Sequence, residues 1–218
     1  MNSVVRVLIG DDHRIVREGL KQVLADAPDI EVCAEATDGP QVLATVTALR
    51  GSEGLGVVLL DIAMPGRDGL DVLQTLRKDW PDLPVLMLST YPEKQYAVRC
   101  IKLGAAGYLN KSADAEQMTE AIRRVAGGRL FITPNIAEQL AGAVGGGTHD
   151  DTPLHERLSH REYQVFRLLA AGRSVGEIAE QLVLSSNTVS TYRARILDKT
   201  GVRNDVELAL YAVRQDIV

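Results

Sequence analysis

The sequence has no long hydrophobic run and very few cysteines. No stretch approaches the roughly 20 apolar residues of a membrane-spanning helix, and the first residues lack the charged and apolar segments of a secretory signal. The two cysteines, Cys33 and Cys100, give neither a disulfide framework nor the ligand spacing of a metal site. We therefore expect a cytoplasmic protein with no membrane partner.

The sequence also lacks an overall excess of positive charge, since its net charge is −5 over 218 residues. That length allows one large domain or two small ones. Positive charge is nevertheless concentrated near the C-terminus, where Arg193, Arg195, Lys199 and Arg203 lie within eleven residues. Such a cluster is either a solvated helix face or an anion-binding stripe.

The most informative stretch is a run of four branched apolar residues, 57–60, that ends at Asp61 and is followed by Pro65 and Gly66. A short run bounded by turn residues is typical of a strand buried on both faces of a parallel sheet. Ligands of such sheets bind at the carboxyl ends of the strands, so we expect Asp61 at the mouth of a crevice. Taken alone, an aspartate there is also explained by the start of a turn.

Five apolar segments alternate with five segments of helical periodicity over about the first 125 residues. The predicted strands are 4–9, 30–36, 57–61, 85–88 and 107–111, and the predicted helices are 13–25, 40–49, 70–79, 93–103 and 114–126. Ser112 is the expected N-cap of the last helix. This alternation predicts an α/β fold with a five-stranded, doubly wound parallel sheet of the flavodoxin type.

Polar side chains follow the ends of four of these strands. They are Asp11, Asp12, Asp61, Ser89 and Lys111. In a parallel sheet these positions share one edge, and three neighbouring carboxylates favour a hard divalent cation such as Mg²⁺, with the carbonyl of Ala63 as a further ligand. A lysine and a serine hydroxyl add the means to stabilise charge on a phosphoryl group, with one carboxylate as nucleophile.

Beyond residue 158 the pattern becomes helical throughout. Ser159 and Glu162, and again Ser174 and Glu177, have the spacing of a capping box, and further helices are predicted over 187–200 and 205–214. Two short helices and a tight turn predict a helix-turn-helix, whose second helix would read a DNA groove. In that helix, 187–200, one face is apolar, but the pattern also fits a small helical bundle with a solvated outer face.

Residues 132–153 separate the two patterns. A short helix is expected over 134–143, followed by a tether that contains three consecutive glycines. The predicted organisation is therefore a first domain over 1–131, a linker over 132–153 and a small, four-helix domain over 154–218.

Residues 4–128 resemble the receiver domain of bacterial two-component response regulators. The resemblance rests on Asp11-Asp12, on the loop that starts at Asp61, and on Ser89, Tyr108 and Lys111, with spacings of 28 residues from Asp61 to Ser89 and 22 from Ser89 to Lys111. It implies that Asp61 is the phosphoacceptor, that Asp11 and Asp12 hold Mg²⁺ with Asp61 and the Ala63 carbonyl, and that Lys111 contacts the phosphoryl group. Ser89 and Tyr108 would be the switch residues. Tyr108 is equally explained as an ordinary strand aromatic.

Residues 158–213 resemble the LuxR-type DNA-binding domain of the NarL/FixJ family, notably at 158–162, 177–179 and 187–202. The resemblance places Ser190, Thr191 and Ala194 at base edges. It places Thr188, Tyr192, Arg193, Arg195 and Lys199 at the DNA backbone. Because family members often carry lysine where this chain has Ser190, we expect base reading by small side chains and methyl contacts. The last helix offers candidate dimer residues, namely Val206, Leu208, Ala209 and Ala212, which core packing explains equally well.

The resemblance implies a transcription regulator, not a turnover enzyme, that a sensor histidine kinase phosphorylates and that binds double-stranded promoter DNA, as a homodimer when active. Two alternatives remain at this point. One is a Mg²⁺-dependent phosphohydrolase, although the haloacid-dehalogenase type would carry a second aspartate at Ala63. The other is DNA binding that is independent of phosphorylation, which the complete set of acidic residues disfavours.

Overall fold

The computed structural model of the chain describes residues 4–50, 54–65, 67–90, 93–134, 136–138, 140, 158–182, 184–215 and 217. The chain divides into two compact units, residues 1–146 and 147–218. The boundaries placed at 131 and 153 from the sequence stay predictions, and the glycine tether lies outside the described residues.

The first unit alternates strands and helices as predicted. Its strands are β1 (Val5–Gly10), β2 (Ile30–Ala36), β3 (Val57–Asp61), β4 (Val85–Ser89) and β5 (Gly107–Asn110). Its helices are α1 (Arg14–Ala25), α2 (Gly39–Arg50), α3 (Gly69–Asp79), α4 (Glu93–Lys102) and α5 (Ala115–Ala126). The strands are parallel in the order β2-β1-β3-β4-β5, which confirms the doubly wound, flavodoxin-like sheet.

The sheet is covered on both faces, as its apolar composition requires. Every residue of β3 and β4 is buried. Since side chains alternate along a strand, Val7, Ile9, Val57 and Leu59 point to one face. There they form a core with the apolar sides of α1 and α5. The sheet is thus a rigid support for the side chains at the carboxyl ends of its strands.

Strand register decides which residues meet at the carboxyl edge. Gly10 lies opposite Leu60, Asp61 opposite Leu88, and Ser89 opposite Asn110. The residues that follow β1 and β5 therefore emerge next to Asp61 and Ser89. The main chain joins this edge directly, because the Lys111 N–H donates to the Ser89 carbonyl at 2.9 Å.

The N-cap predicted for α5 is wrong. Asp114, not Ser112, caps the helix by accepting a hydrogen bond from the Gln117 N–H. Ser112 instead donates its N–H and its hydroxyl to Asn110 Oδ1, at 2.9 and 2.6 Å. A carboxylate at this position interacts favourably with the helix dipole, whereas Ser112 is already bonded to the preceding turn.

Beyond α5 the chain returns to the sheet. The Phe131 N–H donates to the Ala106 carbonyl at 2.9 Å, and Phe131 bridges to Gly107 in parallel orientation. Residues 134, 136–138 and 140 are helical, in agreement with the helix predicted over 134–143, and its remaining residues lie outside the described ones.

The described part of the second unit is helical, with α6 (His160–Ala170), α7 (Val175–Gln181), α8 (Ser186–Thr200) and α9 (Asp205–Arg214). Its core contains Phe166, which lies 5.7 Å from the Tyr163 ring and 6.2 Å from the Tyr211 ring between centroids. Val189 and Ile196 are fully buried, and they form the apolar face that the sequence predicts for the helix over 187–200, here α8.

Both predicted capping boxes form. In the first, the Ser159 N–H donates to Glu162 Oε2 at 2.7 Å and the Glu162 N–H donates to Ser159 Oγ at 3.3 Å. Ser174 and Glu177 repeat this arrangement at the start of α7. Ser185 caps α8, and Gly201 ends it with a left-handed φ of 68°, which glycine adopts without strain.

Gly69→Ala is expected to destabilise the first unit. A Cβ at residue 69 would lie 2.0 Å from the Asp61 carbonyl oxygen, so the backbone at the end of β3 would have to move. Overpacking of this kind costs roughly 1–3 kcal/mol. Urea unfolding followed by the fluorescence of Trp80, the single tryptophan of the chain, reports on this unit.

Gly19→Ala is the matched control. Gly19 lies within α1, and nothing lies within 4 Å of the Cβ it would gain. Alanine is favoured over glycine in a helix by about 0.8–1 kcal/mol, so this variant is expected to be stabilised. Equal unfolding midpoints for the two variants would contradict the close approach of Gly69 to the end of β3.

Candidate functional site

The acidic residues predicted to converge at the carboxyl edge of the sheet do so. Asp11 and Asp61 are buried, with 0 and 2% of their surface exposed, whereas Asp12 is exposed. Carboxylate oxygens of Asp11, Asp12 and Asp61 lie within 4.8 Å of one another, together with a ring nitrogen of His13. The expected cluster therefore exists and contains one residue that the sequence reading did not include.

A single ammonium group joins the two buried carboxylates. Lys111 Nζ lies 2.6 Å from Asp11 Oδ2 and 2.9 Å from Asp61 Oδ2. Burial by itself lowers the pKa of Lys111, but the charges of Asp61 and Asp11 outweigh burial and leave that pKa above its ordinary value. Lys111 is thus a fixed positive charge between two acids.

The Asp61 carboxylate is poorly solvated. Burial raises its pKa from 3.8 to about 6, against the opposing charge and hydrogen bond of Lys111, and the neighbouring Asp11 raises it further. The Ala63 N–H donates to this carboxylate and favours its charged form. One ammonium does not compensate for the burial of this group, so additional positive charge at the site is favourable.

The remaining predicted site residues of this unit lie on adjacent strands. Ser89 is buried at the end of β4, one residue beyond the partner of Asp61 in the register. Tyr108 lies opposite Met87 in β5 and is 1% exposed. Ala63 follows β3 in the loop that begins at Asp61. Ser89 and Ala63 therefore lie at the strand ends that carry the acidic cluster, and Tyr108 lies in β5, which Lys111 follows.

Two residues that support the turn after β1 were missed from the sequence. The His13 N–H donates to Asp11 Oδ1 at 2.8 Å, and Arg17 Nη1 donates to the Asp11 carbonyl at 2.8 Å. Arg17 also bonds Glu35 of β2 through Nε at 3.0 Å. The position of Arg17, one helical turn after the acidic pair, was the only signal in the sequence.

These donors are suited to a divalent cation. Hard cations take oxygen ligands, and three carboxylates meet here with one side open through the exposed Asp12. The raised pKa of Asp61 also favours a cation at this site, because a bound cation would stabilise the charged form of the Asp61 carboxylate. The pocket is therefore compatible with a divalent metal site.

In the second unit, α8 presents a polar outer face. Ser190, Thr191, Ala194 and Arg195 are exposed, while Thr188 and Tyr192 are half-buried. The Thr191 hydroxyl donates to the Asn187 carbonyl at 2.9 Å, so its hydrogen-bonding capacity is partly used within the helix. The predicted base-contacting residues therefore share one accessible face.

Two of the predicted backbone contacts are engaged in ion pairs inside the domain. Arg193 Nε lies 2.8 and 3.0 Å from the two carboxylate oxygens of Asp205 in α9. Lys199 Nζ lies 2.6 Å from Oε2 of Glu162, which is buried in α6. Burial raises the pKa of Glu162, but its bonds to Lys199 and Ser159 outweigh burial and lower that pKa. Arg195 is therefore the more accessible cation of this face.

The dimer residues predicted on the last helix need a correction. Leu208 and Ala212 are fully buried and Ala209 is half-buried, because this side of α9 packs on the core of its own domain. Val206, the fourth candidate, is exposed. It forms an apolar patch with two residues that the prediction omitted, Leu210 and Val213, at helical spacing.

None of the helices in the described residues is both long and apolar enough to cross a membrane.

Comparison with protein families assigns both units. The family described as response regulator receiver domain matches residues 7–123. The family described as bacterial regulatory proteins, luxR family, matches residues 156–212. The first match covers the acidic cluster and all of the sheet except the start of β1, and the second covers the four helices except the end of α9.

Related proteins match this chain over nearly their full length. The response regulator GacA of Pseudomonas aeruginosa is 39% identical over 215 residues, which cover 99% of this chain and 98% of GacA. The response regulator UvrY of Escherichia coli K12 is 34% identical over 214 residues, which cover 98% of this chain and 96% of UvrY.

Solved structures agree with these relatives. The response regulator ChrA of a heme-sensing two-component system has a TM-score of 0.53 at 32% identity, with 100% of both chains covered. A structure of two RcsB dimers bound to two parallel DNAs has a TM-score of 0.55 at 25% identity and covers 99% of this chain and 100% of that one. The chain therefore belongs to the NarL/FixJ family of two-component response regulators, with a receiver domain followed by a LuxR-type DNA-binding domain.

Proposed function

We propose that Asp61 is the phosphoacceptor, that a partner sensor histidine kinase donates the phosphoryl group, and that this modification controls binding to promoter DNA and hence transcription. The observation that carries the proposal is the placement of Asp61. Its carboxylate is 2% exposed, lies 2.9 Å from Lys111 Nζ, and neighbours the acidic pair that follows β1. A nucleophile, a compensating cation and ligands for a second cation thus meet at one strand end.

Mg²⁺ is the proposed cofactor, held by the carboxylates of Asp11, Asp12 and Asp61 and by the Ala63 carbonyl. When bound, Mg²⁺ supplies positive charge that stabilises the transferring phosphoryl group. The convergence of three carboxylates supports this assignment, since Mg²⁺ prefers oxygen ligands and retains several waters.

In the proposed transfer, an Asp61 oxygen forms a bond to phosphorus while the phosphorus–nitrogen bond of the kinase phosphohistidine breaks. Lys111 compensates for charge on the phosphoryl oxygens, and the Ser89 hydroxyl donates to one of them. Attack by water later returns the carboxylate and inorganic phosphate. The receiver thus takes up and loses its own phosphoryl group and is not a turnover enzyme in this proposal.

Ser89 and Tyr108 are the proposed switch residues. They lie in neighbouring strands, and both are buried. When Ser89 follows the phosphoryl group, the space that it leaves next to β5 becomes available to Tyr108. The surface of α4 and β5 would then change, and phosphorylation would bias an equilibrium that exists without it.

DNA binding is proposed to use α8 as the groove-reading helix. Ser190, Thr191 and Ala194 face base edges in this proposal, and because the Thr191 hydroxyl already bonds to Asn187, its methyl group is available to a thymine methyl. The proposed backbone contacts are Thr188, Tyr192 and Arg195, whereas Arg193 and Lys199, which the sequence also suggested, are paired with Asp205 and Glu162 inside the domain. A homodimer on paired half-sites would use the exposed patch of Val206, Leu210 and Val213 on α9.

Asp61→Asn is expected to abolish labelling by acetyl phosphate in the presence of Mg²⁺, because an amide does not replace the carboxylate as nucleophile. Intact-mass spectrometry detects the added phosphoryl group. Asp82→Asn, at an exposed position before β4, is the matched control and should be labelled like the wild type. Continued labelling of Asp61→Asn would remove Asp61 from its proposed role.

The same pair of variants tests control of DNA binding. Acetyl phosphate is expected to raise the DNA affinity of the wild type and of Asp82→Asn but not that of Asp61→Asn. Equal affinities in all three proteins, with and without the phosphodonor, would favour DNA binding that is independent of phosphorylation.

The stability difference between the wild type and Asp61→Asn is expected to depend on pH. Because the pKa of Asp61 is about 6 in the folded chain against 3.8 ordinarily, the folded state binds more protons between these values. Raising the pH therefore destabilises the wild type relative to the variant, by up to roughly 3 kcal/mol above the folded pKa, and this contribution of ionisation is absent below the unfolded pKa.

Urea unfolding followed by Trp80 fluorescence, in EDTA at about pH 4.5 and about pH 7.5, measures this difference. Addition of Mg²⁺ at the higher pH should reduce it, because the ion binds the charged form. A difference that does not change with pH would show that ionised Asp61 carries no penalty in the fold.

Arg195→Ala is expected to lower the slope of log affinity against log salt by about 0.9, the value for one neutralised phosphate. Lys199→Ala should leave that slope nearly unchanged, because Lys199 is paired with Glu162. It should instead destabilise the second unit by roughly 1–3 kcal/mol, since the buried Glu162 carboxylate loses its only cationic partner among the ion pairs described and keeps the Ser159 N–H. Fluorescence anisotropy with a duplex selected from a random pool measures the slopes.

Arg173→Ala, which removes a cation that pairs with Glu177 at the start of α7, is the control for lost charge. The titration also gives the stoichiometry, and two protomers per pair of half-sites are expected. An equal loss of slope in Lys199→Ala and Arg195→Ala would mean that Lys199 leaves Glu162 for a phosphate.

A further inference from the structure

We propose that His13 is a nitrogen ligand of the receiver's metal site, so that this site binds a divalent ion of the borderline, nitrogen-accepting class more tightly than Mg²⁺. The inference rests on the proposed metal site at Asp11, Asp12 and Asp61 and extends it by one residue of different chemistry. First-row transition ions such as Co²⁺ belong to this class.

The distances around His13 fit coordination of one ion. Its Nδ1 lies 2.7 Å from Asp12 Oδ1 and 3.4 Å from Asp11 Oδ1. Adjacent ligands on an octahedral ion with bonds of about 2.1 Å lie about 3 Å apart. Because ligand atoms of His13, Asp11, Asp12 and Asp61 are all within 4.8 Å of one another, only small side-chain movements are needed.

Helix capping does not explain a histidine at this position. His13 is the N-cap residue of α1, with extended backbone angles, but its side chain makes no cap hydrogen bond. Residues with a short side-chain acceptor, such as serine or aspartate, are preferred at an N-cap. The His13 side chain turns instead to the acidic pair. The backbone N–H of His13 separately donates to Asp11 Oδ1 at 2.8 Å.

The chemistry of the donor set gives the selectivity. Carboxylate, carbonyl and water ligands suit Mg²⁺, whereas imidazole suits Co²⁺, Ni²⁺, Cu²⁺ and Zn²⁺. Three carboxylates alone therefore make a site for a hard ion, and the addition of His13 shifts the preference towards the later ions. The His13 side chain is 64% exposed, so its ring is accessible to an entering ion.

Isothermal titration calorimetry of the full chain with Mg²⁺ and with Co²⁺ tests the inference. In His13→Gln, the Co²⁺ affinity should fall at least tenfold, by roughly the amount that loss of a metal-site partner produces, while the Mg²⁺ affinity should change less than about twofold. His160→Gln, in the second unit, is the matched control and should bind both ions like the wild type.

A purely positioning role for His13 would give a different result. If the ring only orients Asp12 by a hydrogen bond, both affinities fall together in His13→Gln, and the inference is overturned. Unchanged affinities for both ions overturn it equally. Because His13 is largely exposed, the variant should keep its fold, which Trp80 fluorescence checks.

Proton NMR of the Co²⁺-loaded chain gives a direct signature. A strongly shifted, non-exchanging imidazole C–H resonance is expected in the wild type and in His160→Gln and should be absent from His13→Gln. If Mg²⁺ binds the wild type but no such resonance is found, the assignment of His13 fails while the proposed Mg²⁺ site stands. If neither ion binds, both fail.

Discussion

Two carboxylates and one ammonium, buried together at the carboxyl edge of a parallel sheet, determine what the receiver unit can do. Lys111 lies within 2.9 Å of both Asp11 and Asp61, yet burial still raises the Asp61 pKa to about 6. The pocket therefore holds more negative than positive charge, and any group that adds charge there changes the stability of the ionised Asp61 carboxylate. The proposed metal binding and phosphoryl transfer would both act on this same deficit of positive charge.

Much of this arrangement could be predicted from the sequence, because a parallel sheet brings the carboxyl ends of its strands to one edge. Apolar runs that end in Asp61, Ser89 and Lys111 were sufficient to place them together, and the register of β1, β3 and β4 accounts for it. Partner choice was not predictable. Arg193 pairs with Asp205 twelve residues away, and Lys199 with Glu162 thirty-seven residues away, through tertiary packing that no local pattern encodes.

The second unit compensates its charges internally. The basic cluster that suggested DNA binding is partly neutralised inside the domain by Asp205 and Glu162. Leu208 and Ala212 show a related limit of sequence reading, since an apolar helix face is assigned to a core or to a partner only when the other helices are in place. With fewer accessible cations per protomer, the proposed mode of DNA binding relies more on small side chains at base edges and on paired protomers.

The size of the receiver's electrostatic imbalance bears on how it controls such a domain. A pKa displaced from 3.8 to about 6 corresponds to roughly 3 kcal/mol. Converting an equilibrium from 1:99 to 99:1 requires about 5.5 kcal/mol of differential interaction. The pKa difference measures the free energy of ionising Asp61 in the fold, whereas the differential interaction that a covalent phosphoryl group supplies is a separate quantity. In the proposed control, association of two protomers on adjacent half-sites would add to the bias set by phosphorylation, so DNA itself would take part in setting the active state.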